Sequence, residues 1–134
     1  MKSTPHVINM HEVIRSEDKI YVVTELCFGD LDKKIAQRKI PKQEAWSYLQ
    51  QVIKGYKYLY EKGIIHRDLK PGNLFFNNKG EIKIGDFGFA TTLAEAKKQM
   101  HYNIGSPGYM APETVTKNDY SHASDIWAIG IIYY

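Results

Sequence analysis

The sequence predicts a mixed α/β (α+β) fold, on three observations. Two short runs of strand-forming residues look like hairpins, a long amphipathic helical period lies between them, and residues 126–134 are almost wholly apolar. Taken in order, residues 10–15 carry Met10, Val13 and Ile14 among polar neighbours. Ser16-Glu17-Asp18 is turn chemistry, and residues 19–25 are rich in β-branched and aromatic side chains. Phe28-Gly29-Asp30 breaks that strand, and Asp30 is placed to N-cap a short helix through about Gln37. From 42 to 62, Ala45, Leu49, Val52, Ile53, Tyr56, Leu59 and Tyr60 recur at spacings of three and four, so these and the Tyr and Trp residues of the segment are expected to pack on the core. Pro41 suits the first turn, and Gly63 the position just past the end. Residues 74–76 and 82–84 flank Asn77-Asn78-Lys79-Gly80-Glu81, a second hairpin. Residues 85–120 read mostly as loop, and a loop of that length in a compact domain is either functional or misread. Residues 124–134 open a helix expected to be buried on all sides.

Composition sets the outer limits. The chain has 134 residues, 43% hydrophobic and 25% charged, which is ordinary for a globular domain or a piece of one and argues against disorder. A net charge of +3 is too small to imply a nucleic-acid or membrane partner. One cysteine, Cys27, excludes an intramolecular disulfide and fits a reducing, cytoplasmic setting. No stretch reaches the length of a membrane segment, and residues 1–7 contain no apolar leader.

The chemistry concentrates between the long helix and the second hairpin. His66-Arg67-Asp68-Leu69-Lys70-Pro71-Gly72-Asn73 matches H-R-D-L-x-x-x-N, the catalytic-loop motif of protein kinases. Eighteen residues after Asp68 comes Asp86-Phe87-Gly88, and Ala111-Pro112-Glu113 closes the segment that follows. Three motifs in this order, with strands between them, resemble a eukaryotic protein kinase catalytic domain of the serine/threonine type. Lys70-Pro71 and Gly105-Ser106-Pro107-Gly108-Tyr109-Met110 carry the serine/threonine character. With Phe89, the latter stretch is similar to Unc-51-like and neighbouring groups.

That resemblance implies specific roles. Asp68 would orient the acceptor hydroxyl and accept its proton, Lys70 would offset charge on the transferred phosphoryl, and Asn73 and Asp86 would hold Mg2+ through hard oxygens. ATP would meet the hinge, with adenine on backbone groups of Glu25 and Cys27, Thr24 at the gatekeeper position and Phe75 beneath the ring. His66 and Phe87 would pack into a hydrophobic column. Arg67 would pair with an activation-segment phosphate, for which Tyr102 occupies the usual position; packing alone is an equal alternative for Tyr102. Asp125 has two readings, hydrogen-bonding the catalytic-loop backbone or N-capping the last helix. Asp86, Phe87, Gly88, Tyr102, Ser106, Ala111, Pro112 and Glu113 belong to the activation segment. In the family, Glu113 pairs with an arginine from a later helix.

By the same resemblance the fold is a truncated protein kinase-like one. Residues 1–29 would be the end of the small lobe and hinge, and 30–134 a large-lobe segment incomplete at its C-terminus. No G-x-G-x-x-G occurs in these residues, so the expected function is that of a protein serine/threonine kinase segment with little activity alone. The expected partners are ATP and a protein with a Ser or Thr acceptor. The alternative is a non-catalytic, pseudokinase-like binding module or a truncated gene product.

Overall fold

In the computed structural model, which describes residues 4–98 and 104–134, the first hairpin pairs β1 (Met10–Arg15) with β2 (Ile20–Thr24). The strands are antiparallel, from Met10 opposite Thr24 to Arg15 opposite Ile20, with an irregularity between Met10 and Glu12. Every residue in both strands is exposed. The hairpin is fixed at its root: Glu25 N–H donates to Asn9 O at 2.9 Å, and the preceding residues join a strand of the second hairpin. There Ile8 N–H donates to Ile84 O, and Ile84 N–H to His6 O.

α1 (Leu31–Gln37) starts where Asp30 accepts from Lys33 N–H at 2.9 Å, so Asp30 caps the helix. α2 (Lys42–Glu61) follows, with Pro41 at the N-cap rather than inside the first turn, and Gly63 beyond the end at φ 66°. Its buried face is Tyr48, Val52, Gly55, Tyr56 and Leu59. Ile53, Tyr58, Tyr60 and Trp46, expected on the core, are exposed. At 3.6 residues per turn they lie roughly 95–135° around the helix from the centre of that face, outside the stripe that one packed surface covers.

The core gathers that face against the second hairpin, β4 (Leu74–Phe76) and β5 (Ile82–Ile84), which pair antiparallel. Leu59, Leu69, Leu74, Ile82 and Ile84 are completely buried or nearly so. Two elements have no local sequence signal. β3 (Ile64–Ile65) pairs antiparallel with β6 (Thr91–Thr92), each strand only two residues long.

Residues 85–120 contain more structure than the expected loop. Besides β6 they form α3 (Leu93–Ala96), capped by the Thr92 hydroxyl, a 3₁₀ turn at Pro107–Tyr109, and α4 (Pro112–Lys117). α5 (His122–Tyr133) begins earlier than expected. Ser121 caps it in a reciprocal box with Ser124, because the first turn needs acceptors and Ser121 supplies one. The N-capping reading of Asp125 is therefore wrong: Asp125 lies inside the first turn. The helix is also not covered on all sides. Ala128 and Ile129 are buried, whereas Ile126, Trp127 and Ile131 are exposed. Among the described residues no helix is long and apolar enough to cross a membrane.

Candidate active site

The loop joining β3 to β4 carries His66, Asp68, Lys70 and Asn73; His66, Asp68 and Asn73 are buried, Lys70 is half-buried, and all four have partners. Asp125, 2% exposed, reaches it from α5. Its Oδ2 accepts from His66 N–H at 2.7 Å, and its Oδ1 from Arg67 N–H at 3.0 Å. Arg67 has φ 69°, a left-handed conformation that is uncommon outside glycine, and the two carboxylate bonds hold the backbone there. Burial pushes the Asp125 carboxyl up, while the His66 and Arg67 N–H groups and the Tyr56 hydroxyl favour its charged form.

His66 is fully buried and bonds on both sides of its ring. Nε2 donates to Gly85 O at 2.9 Å and Nδ1 accepts from Asp68 N–H at 3.2 Å, so Nε2 carries the hydrogen. The Phe87 ring lies 5.0 Å from it, centroid to centroid. One imidazole thus joins the Asp68 peptide to the segment carrying Asp86 and Phe87. Arg67 reaches the same segment, its Nε donating to Phe89 O at 2.6 Å, and its guanidinium lies 5.5 Å from the centre of the Tyr120 ring.

Asp68 and Lys70 meet on a third residue. The Ser106 hydroxyl donates to Asp68 Oδ1 at 2.8 Å and accepts from Lys70 Nζ at 2.9 Å, and Lys70 Nζ is itself 3.5 Å from Asp68 Oδ2. The sequence placed Ser106 in the activation segment and in the stretch of serine/threonine character, without a contact to Asp68 or Lys70. Gly105 permits the approach: at φ 111°, an added Cβ would come within 2.5 Å of Arg67 O. Tyr120 fixes the strand of chain leading in, its hydroxyl accepting from Ile104 N–H and donating to Ile104 O. A small cleft of about 20 Å³ lies here, lined by Arg67, Asp68, Ser106, Tyr109 and Asp125 among others.

Asn73 donates from Nδ2 to Asp68 O at 2.8 Å and to Oδ2 at 3.2 Å, leaving its Oδ1 outside those bonds. Gly85 N–H donates to Asn73 O at 3.0 Å, which sets the exposed Asp86 carboxylate on the chain immediately beyond. A neutral amide oxygen and a carboxylate are hard ligands of the kind magnesium takes. These two residues therefore fit a magnesium site in chemistry.

Just after β2, Glu25 N–H donates to Asn9 O, and its carbonyl accepts the Thr24 hydroxyl at 3.3 Å. The Glu25 side chain turns inward. Its Oε1 accepts from Asn9 N–H at 2.7 Å and Asn9 Nδ2 at 3.0 Å, and lies 3.1 Å from the buried Lys83 ammonium of β5. The Cys27 thiol, half-buried nearby, is pushed up by burial and by the Glu25 charge. Phe75 pairs with Lys83 across β4 and β5, and Asp30 bridges to Phe75. Sequence reasoning missed the Glu25–Lys83 pair. Lys83 alternates with Ile82 and Ile84 as an outward strand residue would, and nothing local shows that it is buried.

The protein kinase domain family matches the chain over residues 1–134. The chain belongs to that family. Curated relatives of this kinase chain include CBL-interacting protein kinase 24 of Oryza sativa subsp. japonica, 38% identical over 133 residues, covering 97% of this chain and 29% of the relative. Serine/threonine-protein kinase polo of Drosophila melanogaster is 40% identical over 134 residues, covering 97% and 23%. Serine/threonine-protein kinase PLK1 of Xenopus laevis is 42% identical over 133, covering 96% and 22%. The last two are serine/threonine-protein kinases by name, and the chain belongs to the serine/threonine kinase family. It spans less than a third of the length of each of these three relatives.

Ala111 is buried, Pro112 opens α4, and Glu113 is half-buried in its first turn with no ion pair among the described residues. Gly88 N–H donates back to Asp86 Oδ1 at 3.3 Å, turning the segment just after the kinase triplet. Tyr102 lies outside the described residues.

Proposed function

We propose that this chain is the catalytic segment of a protein kinase that carries out ATP- and magnesium-dependent transfer of a phosphoryl group to Ser and Thr hydroxyls of proteins. The observation that carries this reading is the Ser106 hydroxyl held between Asp68 and Lys70. An aliphatic hydroxyl in that cradle has its proton on a carboxylate and its oxygen beside an ammonium. An acceptor hydroxyl needs the same two neighbours, one to take its proton and one to offset charge on the arriving group. Asp68 is the base in this reading, Lys70 the cation, and Asn73 and Asp86 the magnesium ligands. ATP with magnesium, when bound, supplies the phosphoryl group and neutralises its charge. The hinge holds the nucleotide through backbone groups of Glu25 and Cys27, beside Thr24 and Phe75. Phosphoryl transfer asks little covalent chemistry of a protein, so His66 and Asp125 contribute by fixing where Asp68 points.

The test measures transfer from labelled ATP with magnesium to a mixed protein substrate. It uses the 134-residue chain and the same residues joined to the small lobe of a relative. The joined form is expected to yield phosphoserine and phosphothreonine, the chain alone to be slow, and Asp68→Asn to abolish transfer. Predominant phosphotyrosine, or undiminished transfer by Asp68→Asn, contradicts the reading.

A further inference from the structure

Tyr56 is a buried polar side chain that the proposed chemistry does not use. It rises from the middle of α2, 3% exposed, and its hydroxyl donates to Asp125 Oδ2 at 2.9 Å, the same oxygen that accepts from His66 N–H. Burial first, and then the Asp125 charge, push its phenol far up, so it stays a donor. A phenol has one hydrogen. With that hydrogen on the carboxylate, the 3.0 Å contact between Tyr56 Oη and His122 Nδ1 requires Nδ1 to be the donor, and the contact to His122 O at 3.4 Å is secondary. The half-exposed His122 ring also lies 4.7 Å from the Tyr60 ring. A chain of hydrogen bonds therefore runs from His122 through Tyr56 to the Asp125 carboxylate, which also accepts from the His66 and Arg67 peptides, the latter one residue from Asp68.

The energetic reason lies with Asp125. Only as an acceptor can its carboxylate hold two backbone N–H groups, and burial alone disfavours that charged form. A third donor on Oδ2 compensates the charge and limits the carboxylate's rotation. Bonds in series also strengthen one another in a low-dielectric interior. We propose that Tyr56, oriented by a His122 ring with hydrogen on Nδ1, is a positioning residue for the catalytic loop, acting through Asp125. The inference rests on the reading of Asp68 as the base, but its geometry can be tested separately.

Tyr56→Phe removes one oxygen and keeps the ring. Amide exchange followed by NMR is expected to quicken roughly tenfold at His66 and Arg67, the loss expected for one hydrogen bond to a charged group, and to stay unchanged at Leu59. Nitrogen shifts are expected to show His122 protonated at Nδ1. His122→Asn, whose amide can donate from nearly the same place, should retain His66 and Arg67 protection, and His122→Ala should lose it. In the phosphoryl-transfer assay of the joined form, Tyr56→Phe should lower kcat with KM for ATP unchanged. Unaltered exchange at His66 and Arg67 overturns the inference. So does equal quickening at Leu59, which would mean global loosening, or a neutral His122 with hydrogen on Nε2 alone. Absence of any transfer by the unmutated joined form overturns the catalytic reading instead, and the exchange and tautomer results then still decide the role of Tyr56.

Discussion

The β1–β2 hairpin and the loop from β3 to β4 are built in opposite ways. The hairpin holds its apolar residues in solvent: Ile20 is 66% exposed, Val22 58% and Tyr21 52%. Its own ladder and its root provide its order. The loop hides polar groups instead. His66, Asp68, Asn73 and Asp125 are all buried, and every one has named partners. Among the described residues no fully buried side-chain nitrogen or oxygen lacks a partner. Burial of an apolar chain tolerates small errors of direction, but burial of a carboxylate does not. The comparison teaches that precision in this chain is concentrated around Asp68, and that the hairpin is held by the few bonds at its root.

Removing the centre of that polar network should do most damage. Asp125→Ala strips the acceptor from His66 N–H, Arg67 N–H and the Tyr56 hydroxyl at once, and leaving such donors buried should cost about 3 kcal/mol or more. Urea unfolding measures it, and a loss below about 1 kcal/mol would erase the contrast between loop and hairpin. Gly105→Ala comes next. Its φ of 111° and the 2.5 Å approach to Arg67 O predict a loss of about 1–3 kcal/mol, with the Ser106 hydroxyl displaced from Asp68.

Lys83→Met sharpens the comparison from the hairpin side. It leaves the Glu25 carboxylate without its cation, at a cost of about 1–2 kcal/mol. Adding Glu25→Gln should return part of that loss in a double-mutant cycle, and strict additivity would show that the tether carries no energy.

A weaker effect belongs to the outer face of α1 and α2. Arg38 first, and then the Tyr48 hydroxyl, hold Glu44 well below the usual carboxylate range, at about 2. The folded-state value is lowered, so this contribution is full above the ordinary glutamate range and is lost as pH falls towards about 2. The pairs lie near the surface, so the acid loss attributable to Glu44 should stay under about 1 kcal/mol, and Glu44→Gln should flatten it. Smallest of all, Ile20→Thr in the hairpin should change stability by no more than about 0.5 kcal/mol.

Much of the architecture was legible because it is local. Both hairpins follow from runs of strand formers around turn residues, and α2 and the Asp30 cap from period and chemistry. What escaped depends on distance in the chain. β3 and β6 are two residues each and meet only through the tertiary fold. Trp46, Ile53 and Tyr60 are apolar but sit to the side of the packed stripe. At the candidate site, the motif named Asp68, Lys70 and Ser106 separately, but that Ser106 joins the other two depends on a contact across 38 residues. Tyr56 looked like one more apolar position on α2. Its hydroxyl matters because Asp125, 69 residues away, lies within reach.

Native-state hydrogen exchange on the unmutated chain tests the contrast most directly. His66 and Arg67 amides, held by a buried carboxylate, should exchange about a hundredfold or more slower than the ladder amides of β1 and β2. Equal or faster exchange at His66 and Arg67 would contradict the claim that the polar network around Asp68 is the most firmly held part of the chain.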